Sequence, residues 1–120
     1  MKNYYKSIEI ELYDNIMLGK RIGNIFILKG DIKYMKINET ITFCNYDGEK
    51  IKVKINDIFE YDTIQNAVRE STDKIIKLSD DISKSEYSNE RNKLINNFNE
   101  TLNDILIEKY GIVLISFELI

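Results

Sequence analysis

From Asn45 to Ile120 the chain carries a fixed order of signals: a tight turn, a long alternating strand, two apolar-striped segments, a glycine and a closing apolar run. Few architectures accept that order. Helices with one apolar stripe must lay it on a layer of other structure, and here strands stand on both sides of them in sequence. The turn is Asn45-Tyr46-Asp47-Gly48, where glycine supplies the positive φ that a primed hairpin turn requires. Ile51 to Tyr61 then alternates apolar and polar residues and stumbles at Asn56-Asp57, which predicts a bulge. Asp62 is a helix N-cap with Gln65 as its capping-box partner. Ile64, Ala67, Val68, Ser71, Ile75, Leu78 and Ile82 follow three or four apart, the spacing of one helical face over about residues 63–82. Ser83-Lys84-Ser85 interrupts it. Tyr87, Leu94, Ile95, Phe98, Leu102, Ile105 and Leu106 mark a second helix over about 86–109. Gly111 suits the left-handed position after a helix. Residues 112–120 read as a final strand, apolar on both faces at its start and therefore central in its sheet.

The first half reads as strands. Ile8, Ile10 and Leu12 alternate with Ser7, Glu9 and Glu11, a half-buried strand pattern. Gly19-Lys20-Arg21-Ile22-Gly23 is a basic turn, Ile25 to Leu28 a buried strand, and Lys29-Gly30-Asp31 a second turn. Ile32, Tyr34 and Ile37 predict one more strand, and Thr40 to Phe43 another. The expected fold is α+β: a mostly antiparallel curved sheet with two amphipathic helices packed on one face and a C-terminal strand. It forms a single domain over residues 1–120, with strands at about 7–61, helices at about 63–82 and 86–109, and the closing strand at 112–120.

Chemistry is bounded mainly by what is missing. The chain has no His and one Cys, Cys44. Histidine is the usual general base and a common metal ligand, and a thiol without an imidazole lacks its ordinary activator. Gly19 to Gly23 lacks the spacing and the closing Gly-Lys-Ser/Thr of a P-loop. Asp73, Asp80, Asp81 and Glu86 lack the glycine and terminal Glu of a calcium loop. No enzyme activity, cofactor or metal is expected. Net charge is −3, divided as +1 over residues 1–60 and −4 over 61–120. That acidic second half argues against a nucleic-acid partner, which calls for a concentrated basic face. No apolar run approaches a membrane span, no signal peptide is read, and a cytoplasmic setting is expected. Lys50, Lys52 and Lys54 alternate with Ile51, Val53 and Ile55. They read either as a small anion- or lipid-binding patch or as charges guarding a sheet edge. Eight tyrosines fit sheet packing or a contact surface.

Asp47-Gly48, the strand to Tyr61 and the helix opened by Asp62 to Val68 resemble the middle of the stomatin/prohibitin/flotillin (SPFH) domain. Ser85 to Arg91, Leu94 to Leu106 and Tyr110-Gly111-Ile112-Val113 through Phe117 resemble its second helix and closing strand. Residues 73–120 also look similar to the domain of the flagellar basal-body-associated protein. Gly30 stands near the family's Pro-Gly, without the proline. The resemblance implies a non-enzymatic binding or scaffolding module that acts by self-association or by docking on a membrane-associated complex, with weak membrane-surface contact. The expected contact is the exposed side or an edge of the sheet, with Lys50, Lys52 and Lys54 as candidates. The alternative is a small accessory protein, such as a chaperone, immunity or mobile-element factor, that binds one protein partner.

Overall fold

The computed structural model describes all residues, 1–120. Five strands form one sheet: β1 (Asn3–Ser7), β2 (Gly23–Ile27), β3 (Thr40–Cys44), β4 (Lys50–Tyr61) and β5 (Ile112–Leu119). Their spatial order is β1-β3-β4-β5-β2. Helix α1 (Ile10–Met17) joins β1 to β2, and a 3₁₀ helix over Gly30–Tyr34 leads towards β3. Helices α2 (Ile64–Ile75), α3 (Lys84–Thr101) and α4 (Asp104–Tyr110) separate β4 from β5. The architecture is α+β, a curled half-barrel sheet with four helices. The expectation of a mostly antiparallel sheet with two helices holds only in part: three of the four strand pairings are antiparallel. β1 runs parallel to β3, so the sheet is mixed, and the helices divide between its two faces.

β5 shows why both faces are covered. Val113, Ile115 and Phe117 enter one core with α1 residues Tyr13 and Ile16. Ile112 and Leu114 enter a second core with α2 and α3, through Ile64, Ala67, Val68, Ile75, Leu94 and Phe98. A strand with period-two side chains can serve both only if every position is apolar, which is the composition of its first half. β4 meets the same demand with an extra residue. Ile51, Val53 and Ile55 enter the first core. The register to β5 shifts between Ile55 and Asp57, so Ile58 packs against that core while Phe59 and Tyr61 turn to the second. One inserted residue reverses the alternation for the rest of the strand. Asp57 at the bulge accepts from the Ser116 hydroxyl at 3.2 Å and lies 3.9 Å from the Lys74 ammonium.

Several expected boundaries move for local reasons. The alternation Ile8/Ile10/Leu12 is not a strand: β1 ends at Ser7 and Ile10 opens α1. Tyr13 and Ile16, three apart, carry the buried face of α1, while Ile10 is 42% exposed. The segment around Ile32 and Tyr34 coils into the 3₁₀ helix rather than a strand, with Ile32 buried and Tyr34 exposed. Thr63, not Asp62, caps α2, accepting from the Asn66 amide at 3.1 Å. α2 stops at Ile75, because Ile76 turns to extended backbone and bridges to Arg21. The second predicted helix is two, broken at Leu102 and restarted by Asn103, whose side chain accepts from the Leu106 amide at 3.1 Å. Gly111 takes φ 77° and ψ −177°, a region essentially reserved for glycine.

Ser83 caps α3 by accepting from the Glu86 amide at 3.1 Å. Ser83→Ala is expected to cost about 1 kcal/mol, read as a shift in the urea midpoint with an unchanged slope. No helix is long and apolar enough to cross a membrane.

Candidate functional site

The two ends of the sheet are the outer edges of β1 and β2. A cleft of about 530 Å³ opens where they fail to close on each other, within the range of small-ligand sites. Ser7 and Ile8 at the end of β1 line one margin, and Asn24 to Ile27 of β2 line the floor. Leu12 and Asn15 of α1 form one wall, and Leu94, Asn97 and Phe98 of α3 the other.

Arg21 dominates its chemistry. It sits in the turn between α1 and β2, and the turn is pinned to the segment after α2. The Ile22 amide donates to the Ile75 carbonyl at 2.8 Å, and the Lys77 amide to the Lys20 carbonyl at 3.0 Å. Gly23, where β2 begins, makes this approach possible: a Cβ there would stand 2.1 Å from the Lys74 carbonyl oxygen and 3.1 Å from that of Ile115. The Arg21 guanidinium therefore has a fixed base. Its Nε donates to the Gly23 carbonyl at 2.9 Å and its Nη2 to Asn24 Oδ1 at 2.8 Å. Its Cζ lies over the Phe98 ring, 5.2 Å from the centroid. Burial lowers its pKa to about 10, so it stays charged at neutral pH.

No carboxylate neutralises that charge: the ion pairs of the chain all involve other residues. Nη1 of Arg21 and Nδ2 of Asn24 donate to no protein acceptor. Because no buried side-chain polar atom lacks a partner, both keep solvent contact, and both residues line the cleft. A held cation and a neighbouring amide thus present free donors to whatever enters, in the fork geometry that suits a phosphate or carboxylate. At the mouth stands Tyr46, 81% exposed, an aromatic face with no packing role. Glu9, Glu11 and Glu90 also border the cleft. Together with Lys93 and Arg21 they leave it one negative charge in excess, so it suits a ligand with one anionic group better than a polyphosphate.

A broader depression of about 610 Å³ lies between the 3₁₀ helix and β4, over Leu28, Ile32, Met35 and Ile58. Its floor is apolar and no unpaired arginine or amide faces it. The sequence-derived candidates lie elsewhere. Lys50, Lys52 and Lys54 share one face of β4, with Lys54 paired to Glu118 at 2.9 Å, and none lines the cleft. β4 lies between β3 and β5, but its pairing with β5 begins only at Val53. Arg21, Asn24, Phe98 and Tyr46 were not singled out by the sequence. The only signal was an arginine inside a glycine-bounded turn.

No protein-family model matches the chain, and no curated protein sequence matches it. Solved structures do. The crystal structure of a hypothetical protein, PH0355, superposes with a TM-score of 0.75 at 17% identity, covering 99% of this chain and 100% of that one. The solution structure of protein PF0455 from Pyrococcus furiosus gives 0.66 at 16% identity, covering 99% and 98%. The chain shares their fold. An ASCH domain from Lactobacillus crispatus scores 0.48 at 12% identity, covering 97% of this chain and 79% of that one.

These neighbours overturn one expectation. They are not SPFH or flagellar proteins, so that resemblance is withdrawn. Its motifs, an Asp-Gly turn, a capped helix and a glycine before a strand, are generic solutions to turning and stopping a chain. The exclusion of nucleic acid is withdrawn on a separate ground, the placement of the basic side chains. Its premise fails physically: the acidic excess of residues 61–120 is a property of the sequence half. Lys20 and Arg21 of the first half meet Lys77 of the second around this turn.

Proposed function

We propose that the chain is a non-enzymatic binding module whose cleft between β2, α1 and α3 takes one nucleotide unit, free or within a single strand. The observation that carries this reading is Arg21: a charged, ring-backed guanidinium with free donors and no carboxylate partner, opening into a cleft of about 530 Å³. A phosphate is the acceptor its fork fits. Asn24 and the exposed ring of Tyr46 supply an amide donor and a stacking face for a base. The contact surface is the cleft and not the β4 lysines.

The test is equilibrium binding of the four nucleoside 5′-monophosphates and of single-stranded RNA and DNA octamers, followed by calorimetry and fluorescence anisotropy. Saturable binding that is lost in Arg21→Ala and kept in a Lys50/Lys52/Lys54 triple alanine variant is the expected result. Failure of every nucleotide to bind contradicts the reading. So does binding that depends on the β4 lysines alone.

Tyr46→Ala is expected to weaken binding by about 1–3 kcal/mol, the range of a base–aromatic stack. The exposed ring leaves the melting temperature unchanged.

A further inference from the structure

Beyond Arg21 the cleft continues into a second lobe of about 450 Å³. Asn15, Arg21, Ile76 and Glu90 line both lobes, so Arg21 stands at the waist of one channel. The second lobe is bounded by Lys20 and Lys77 as well. Both are exposed, and neither takes part in an ion pair. The backbone holds them side by side: Arg21 bridges antiparallel to Ile76, and the Lys77 amide bonds the Lys20 carbonyl at 3.0 Å. The opposing charge is small. Glu90 lies 3.5 Å from Lys93, and Asp81 next to the lobe accepts from the Ser79 hydroxyl.

The two lobes thus differ in sign. The first has three carboxylates against two cations, and the second has three cations against one carboxylate. A second phosphate is repelled on the first side and attracted on the other.

We infer that the Lys20–Lys77 lobe is a track for the sugar-phosphate backbone, and that the ligand is therefore a single-stranded oligonucleotide rather than a free nucleotide. The strand places one nucleotide in the first lobe with its phosphate at Arg21, and its neighbouring phosphate leaves between Lys20 and Lys77. This deepens the nucleotide reading and rests on it. The two lysines come from segments remote in sequence, so no run of basic residues announces the track.

The test compares the parent chain with a Lys20→Ala/Lys77→Ala double variant on two probes: nucleoside 5′-monophosphates and a fluorescein-labelled single-stranded octanucleotide, each over 50–300 mM salt. Monophosphate affinity should stay within about twofold, because Arg21 is untouched. Octamer affinity should fall about tenfold. The slope of log K against log salt should become shallower by about 1.4, near 0.7 for each lost phosphate contact on a single strand. A Lys20→Arg/Lys77→Arg variant should restore both.

Equal affinity of the parent for monophosphate and octamer would overturn the track while leaving the nucleotide site standing. So would an unchanged slope in the double variant. A parent that binds no nucleotide but takes up an acidic peptide through Lys20 and Lys77 would overturn both. Both lysines are exposed, so matching circular dichroism and melting of parent and variants are expected.

Discussion

Arg21→Ala is expected to abolish most ligand binding and to leave the fold standing. The guanidinium offers its free donors to a charged acceptor, and hydrogen bonds to charged groups contribute about 1.5–3 kcal/mol each. Loss of the forked contact should therefore weaken binding by roughly 30- to 150-fold, about 2–3 kcal/mol, measured by titration calorimetry. Stability should respond little. Arg21 has no ion-pair partner to orphan, and burial already disfavours its charge enough to lower its pKa to about 10. The substitution removes hydrogen bonds to Gly23 and Asn24 together with a desolvated charge, two terms of opposite sign. Arg21→Lys separates charge from geometry. A lysine keeps the cation but loses the planar fork, so most of the binding should be lost with it. Full binding by the lysine variant would mean that a point charge suffices and that the fork has no role.

Gly23→Ala is the substitution expected to damage the fold most. Its Cβ would lie 2.1 Å from the Lys74 carbonyl oxygen, well inside van der Waals contact. The obstacle is backbone at the end of α2, which cannot rotate away as a side chain would. Overpacking of this kind costs about 1–3 kcal/mol, and the rigid obstacle places this case at the upper end or beyond. A fall in melting temperature of roughly 10 °C or more is expected. The strain also acts on function, because moving β2 away from α2 releases the Ile22–Ile75 hydrogen bond that steadies the Arg21 turn. Binding measured well below the melting temperature should be weakened in this variant. A Gly23→Ala protein with parental melting would show that β2 and α2 do not approach each other this closely.

The parts of the fold legible in the sequence are those with a local physical cause. The bulge at Asn56-Asp57 was visible because alternation must break where a strand changes its buried face. β5 was visible as a central strand because only a two-sided strand is apolar at every position. Gly48, at φ 82°, and Gly111, at φ 77°, occupy conformations that other residues avoid. The parts not legible depend on partners distant in sequence. Nothing near Asn3–Ser7 announces a parallel pairing with Thr40–Cys44. Helix α1 is short and buries only Tyr13 and Ile16, so three alternating residues before them read as a strand. The apolar stripe of α2 runs on in sequence through Leu78 and Ile82, although the helix itself ends at Ile75. That tail instead carries the Ile76 bridge to Arg21.

The candidate site was hidden for the same reason. An arginine in a glycine-bounded turn is ordinarily solvent-facing. Arg21 becomes a recessed binding group only when α3 brings Phe98 beneath it and the segment after α2 clamps its backbone. Conversely, Lys50, Lys52 and Lys54 were conspicuous because strand alternation makes three like charges coincide on one face. That regularity reports the solvent side of β4 and by itself no ligand.

Strand binding at the Arg21 cleft is tested most directly by a ¹H–¹⁵N correlation spectrum of the labelled chain, titrated with a single-stranded octanucleotide and including the arginine Nε and asparagine side-chain signals. Saturable shifts are expected, confined to Arg21 and its turn, Asn24 to Ile27, Tyr46, Asn97 and Phe98, and extending to Lys20 and Lys77. Shifts centred on Lys50 to Lys54, or a spectrum that does not change, would contradict it.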